Sequence, residues 1–136
     1  MYHIQVAWPY FSTAVMPAAL PGSAPAVVPR VDLLESDREV VVVVEAPGSR
    51  AERFAVDVAD QQLEVSGTVG AGLLEGETDL VYRYRERSDG NFRRLISLPA
   101  RVDGGSASAS YRDGLLVIRL PKAGRSGSES RRVNVS

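Results

Sequence analysis

The residues able to do chemistry in this 136-residue chain are few and poorly placed for it. The single histidine, His3, lies in a stretch broken by prolines, and there is no cysteine. Thiolate chemistry and a disulfide framework are therefore excluded, which fits a reducing compartment. The carboxylates are spread among the solvated charges, with no pair standing out as acid and base. No group of histidines or acids has metal-ligand spacing. Gly70-Ala71-Gly72 makes no phosphate loop, because no lysine follows it and no helix opens there. The inventory excludes catalysis, and no cofactor is called for. What remains is the chemistry of apolar contact. Residues 1–29 carry no Asp, Glu, Lys or Arg, and hold four of the nine aromatic residues, Tyr2, Trp8, Tyr10 and Phe11. Such an arm offers adaptable apolar surface to a partner.

The elements that carry this surface read as strands. A length of 136 residues is one domain with room for a real core. The formal charge of −1 lacks the basic field that nucleic acid requires. Residues 1–29 contain five of the eight prolines, too many for a helix of useful length. The small residues from 14 to 26 prompt a signal-peptide reading. No Lys or Arg opens that stretch, however, and Pro17 and Pro21 interrupt its apolar core. No apolar run is long enough for a membrane span. A cytoplasmic chain is expected.

From Arg30 the character changes. Residues 31–35 form a short strand, and Ser36-Asp37-Arg38 is a turn. Val40 to Val44 is a run of five valines, apolar on both faces, which reads as a central buried strand. Phe54, Val56 and Val58 alternate with Ala55 and Asp57, the pattern of a half-buried strand. Leu63, Val65 and Gly67 make the next one. A glycine-loosened loop leads to residues 80–87, where Tyr82 and Tyr84 share one face and Arg83, Arg85 and Arg87 the other. A strand so rich in arginine reads as an edge or an excursion. Phe92, Arg94, Ile96 and Leu98 alternate up to Pro99. Asp113-Gly114 is the strongest hairpin signal in the chain, since a tight two-residue turn requires positive φ. It joins a strand with Ala107, Ala109 and Tyr111 on one face to one with Leu116, Ile118 and Leu120 on one face. Residues 123–130 read as a flexible tether, followed by Arg131-Arg132-Val133-Asn134-Val135-Ser136. Seven or eight short strands without a helix define an all-β sandwich.

Four phrases of the chain resemble the small heat-shock protein family, whose core is the α-crystallin domain. Residues 109–122 are similar to its A-x-x-x-[ND]-G-[VL]-L…L-P-K signature. Gly90-Asn91-Phe92-Arg93-Arg94, leading to Leu98-Pro99, is similar to G-x-F-x-R…L-P. Residues 48–67 resemble the P-G…I-x-V-x-V…L-x-I-x-G block, with Phe54 in the Ile position. Val133-Asn134-Val135 resembles the tail motif I-x-I/V. Ala46 departs from the Leu usual before Pro-Gly.

The resemblance implies an immunoglobulin-like β-sandwich over residues 30–122, between an apolar arm (residues 1–29) and a C-terminal extension (residues 123–136). It implies a dimer made by strand exchange, in which residues 80–87 pair with residues 31–35 of a second copy, and a higher homo-oligomer built from such dimers. Tyr82, Tyr84, Glu86 and Arg94 would stand at the dimer contact, Glu86 and Arg94 as an ion pair. Val133 and Val135 would reach a neighbouring subunit. The receiving groove is expected between Phe54, Val56 and Val58 on one side and Ala107 and Ala109 on the other. The implied function is an ATP-independent holdase that binds unfolding client proteins through Tyr2, Trp8, Tyr10 and Phe11. Two other readings fit a sandwich: a monomeric p23-like adaptor or co-chaperone, and a structural coat protein.

Overall fold

A computed structural model describes residues 27–70, 74, 76–124 and 131–136. Its eight strands are β1 (Val31–Glu35), β2 (Glu39–Glu45), β3 (Ala55–Ala59), β4 (Gln62–Val69), β5 (Gly90–Ser97), β6 (Ser108–Arg112), β7 (Leu115–Pro121) and β8 (Arg131–Val133). They form two four-stranded sheets, β1-β2-β7-β6 and β5-β4-β3-β8, and every strand pair in both is antiparallel. This is the β-sandwich expected from the strand pattern. Single-turn 3₁₀ segments at Ala51–Arg53 and Gly104–Ser106 are its helical elements among the described residues.

The core lies between the sheets and follows from period-2 alternation. Val40, Val42 and Val44 of β2 stand beside Leu116, Ile118 and Leu120 of β7, with Val42 directly opposite Ile118. All six are fully buried, and they face Val56 and Val58 of β3 and Leu63 and Val65 of β4. The five-valine run differs from its reading on one point. Val41 and Val43 are only half-buried, because no element among the described residues covers the second face of this sheet. Between β6 and β7, Asp113 (φ 54°) and Gly114 (φ 78°) make the tight turn with both φ values positive, as a type I′ hairpin requires.

One corner of the sandwich is held by two aromatic rings. The Tyr111 hydroxyl donates to the Ala46 carbonyl at 2.6 Å and accepts from the Ser49 amide at 3.2 Å, tying β6 to the Pro47-Gly48 bend. Its ring lies 4.9 Å from that of Phe54, centroid to centroid. Phe54 itself precedes β3, at the end of the first 3₁₀ turn. It closes over Gly67, where a β-carbon would stand 2.6 Å from the Phe54 ring.

One expected strand is not formed. Residues 80–87 make no ladder. Within this single chain they pair with neither sheet, although edge strands such as β1 and β5 are present.

Candidate functional site: a tail-filled seam and an uncovered apolar loop

The seam between the sheets, where the edge of β3 faces the edge of β6, is filled by the chain's own C-terminal segment. β8 adds to β3 with Val133 opposite Val56, Arg132 opposite Asp57 and Arg131 opposite Val58. The segment then crosses to the other sheet, where Val135 forms a parallel bridge with Ala109. There the Ser136 amide donates to the Ala109 carbonyl at 2.9 Å, and the Tyr111 amide donates to the Ser136 carbonyl at 2.8 Å. Val133 is buried in the core, and Val135 and Ala107 are partly buried against it. The residues expected to form the groove are thus brought together around both valines, with Phe54 stacked behind them on Tyr111. In this single chain the occupant is the chain's own tail.

Alternation puts Arg132 on the face opposite Val133, and there the seam is charged. Arg132 grips Asp57 with both arms, Nε to Oδ1 at 3.0 Å and Nη2 to Oδ2 at 3.2 Å. These hydrogen bonds and the Asp57 charge raise the Arg132 pKa above its ordinary value. Asp57 is only 5% exposed although it lies on the outer face of its sheet. Directly across β4 stands Glu64, equally buried, in an ion pair with Arg93. Among the described residues Glu64 Oε2 has no hydrogen-bond partner.

Arg131 lies near a second acidic turn. Its Nη1 lies 3.6 Å from where a β-carbon on Gly105 would stand, over the 3₁₀ turn capped by Asp103. Asp103 accepts from the Ser106 hydroxyl and the Gly105 amide. Those two bonds, with a smaller contribution from the Arg131 charge, hold its carboxyl below the usual range. The cap is therefore in place at neutral pH and is lost as pH falls through that lowered value. Sequence reading passed over Asp57, Glu64 and Asp103. The signal for Asp57 was an acid on an otherwise apolar strand, and for the tail it was Arg131-Arg132 beside the two valines.

Away from the strands, residues 80–84 leave apolar side chains exposed. Tyr82 is 64% exposed and Tyr84 79%. Together with Leu74, Leu80 and Val81 they line an open cleft of about 500 Å³. Arg85 stacks over the Tyr82 ring at 4.6 Å and pairs with Asp89. β1 is an edge strand with Leu33 and Leu34 exposed.

The Glu86–Arg94 ion pair is not formed within the chain. Glu86 accepts from the Tyr84 hydroxyl at 2.9 Å. Arg94 turns instead to the segment before β1 and donates to the buried Pro29 carbonyl at 2.7 Å. That segment already packs on the sandwich, with the Val27 amide donating to the Asn91 carbonyl at 3.1 Å. Arg94→Ala is expected to lower the unfolding free energy by about 1–3 kcal/mol, because a buried carbonyl loses its charged donor. The urea midpoint reads this, and an unchanged midpoint would show that water replaces the guanidinium without cost. The arm residues Tyr2, Trp8, Tyr10 and Phe11 lie outside the described residues.

Comparison with known proteins agrees with this architecture. Residues 32–136 match the model of the Hsp20/alpha crystallin family. The chain is 35% identical over 98 residues to heat shock protein 16 of Schizosaccharomyces pombe, covering 72% of this chain and 68% of that one. It is 31% identical over 108 residues to small heat shock protein C4 of Rickettsia felis, covering 79% of this chain and 64% of the relative. Among solved structures, heat shock protein 16.0 of S. pombe superposes with a TM-score of 0.65 at 33% identity, over 76% of this chain and 94% of that one. The sandwich is an α-crystallin domain. The chain belongs to the Hsp20/alpha crystallin family of small heat-shock proteins, known as chaperones and generally non-enzymatic. No helix among the described residues is long and apolar enough to cross a membrane.

Proposed function

We propose that the protein is an ATP-independent holdase, which assembles as a homo-oligomer in the cytoplasm and keeps partly unfolded proteins from aggregating. The observation that carries this reading is a stable sandwich with apolar side chains left uncovered, Leu80, Val81, Tyr82 and Tyr84 above all. A holdase needs no reacting group. It needs apolar surface held in solution by a scaffold that does not itself unfold. Residues 80–87, unpaired in their own chain, are suited to pair with the β1 edge of a second copy, giving a two-fold contact in which each copy supplies the same two elements. The charge-free arm of residues 1–29 then presents Tyr2, Trp8, Tyr10 and Phe11 to clients.

The test is light scattering of a heated model client at equimolar subunits without nucleotide. Scattering is expected to fall by more than half, and equal scattering with and without the protein would sink the reading. The second reading is a monomeric adaptor, whose tail would close its own seam. Size-exclusion chromatography with light scattering separates the two, since an adaptor elutes at one subunit mass.

A further inference from the structure

The β3–β6 seam has a second recognition face, one that the apolar groove does not explain. Asp57 and Glu64 are register partners on adjacent strands, both carboxylates and both 5% exposed. Like charges placed directly opposite oppose one another, and Glu64 Oε2 is buried without a hydrogen-bond partner among the described residues. Arg93 answers Glu64 from β5. The cation that answers Asp57 comes from the tail, through the two-armed Arg132 contact. The preceding residue, Arg131, lies over the turn capped by Asp103. Two consecutive tail residues thus project to opposite sides, Arg132 into a two-armed pair with Asp57 and Arg131 over the turn that Asp103 caps.

We propose that Asp57, supported by Glu64 and Asp103, makes this groove charge-selective. It accepts an extended segment that carries arginine immediately before Val-x-Val, the Arg131–Ser136 segment of this chain, and it rejects one that carries an acid there. The inference rests on the seam being the tail's binding site and adds the rule by which it chooses its occupant. Val133 and Val135 supply apolar contact, which any V-x-V strand would give. Arg132 supplies selection and register. A slip by one residue would turn the valines away from the core and would also carry the guanidinium to the wrong face. A carboxylate at position 132 would face Asp57 and Glu64 with no cation between.

Hydrogen exchange in the full-length protein tests this at the Tyr111 and Ser136 amides, whose hydrogen bonds form only when a tail is docked. Arg132→Glu is expected to speed their exchange about a hundredfold, and Arg132→Gln about tenfold, from loss of a charge-assisted pair. Arg132→Lys should exchange more slowly than Arg132→Gln, because it restores the charge without the fork. The swap Asp57→Arg with Arg132→Glu should recover protection. The tail variants alter a half-exposed side chain and leave the sandwich folded, so they decide the matter even if the swap does not fold. If Val133→Gly with Val135→Gly opens the seam while Arg132→Glu stays as protected as wild type, charge selection is overturned and the seam remains the tail site. Equal exchange of the Lys and Gln variants would overturn it too. If neither the valine pair nor Arg132→Glu alters exchange, the tail-site reading fails with it.

Discussion

Ile118→Ala is expected to lower the unfolding free energy by about 2–5 kcal/mol, a large share of what a single domain possesses. Ile118 is fully buried at the middle of β7, opposite Val42 on one side and Ala109 on the other. Both neighbours sit in hydrogen-bonded ladders and cannot collapse into the space left by the lost carbons. The loss therefore combines the transfer free energy of those carbons with a cavity. Ala109 also carries the bridge to Val135, so the variant should loosen the seam along with the core. Urea denaturation measures the first effect. A midpoint within about 0.5 kcal/mol of wild type, the range of ordinary surface changes, would mean that the two sheets do not pack as described. Leu34→Ala, on the exposed side of β1, serves as the comparison.

Replacing Val133 and Val135 together by glycine is expected to release the tail while leaving the sandwich folded. Val133 is buried and Val135 partly so, and their combined burial stabilises the docked tail by about 2–4 kcal/mol. Glycine removes that contact and makes the segment costlier to order. Seven of the eight strands come earlier in the chain, so far-ultraviolet circular dichroism should change little. If tails also link neighbouring subunits, as the proposed oligomer requires, weak single contacts acting together hold the assembly. The double variant should then shift in mass toward dimers at low micromolar concentration. Wild-type mass would show that the tail is not a linker and that residues 1–29 hold the assembly.

Much of this architecture was legible from side-chain period alone. Alternation at Val56, Val58, Leu63 and Val65, and at Leu116, Ile118 and Leu120, named the inward faces correctly because a strand has only two sides. Asp113-Gly114 placed its hairpin because few residues tolerate positive φ. The small alanines at 107 and 109 marked where the sandwich leaves room. All of these are local properties, written within a few residues of one another.

What only the tertiary structure decided lies in contacts between distant residues. Asp57 reads as the solvent side of an amphipathic strand. It is buried because Arg132, 75 positions away, folds over it. The resemblance pairs Arg94 with Glu86 at a dimer contact; within this single chain Arg94 donates to the backbone carbonyl of Pro29. Residues 80–87 have the alternation of a strand, but alternation cannot say whether an edge is available to pair with. Within this single chain they join neither sheet, although β1 presents an edge. Local pattern determined which face of each strand is apolar. Only the folded chain determined which charges those faces bring together, because pairing depends on a register set by strands far apart in sequence.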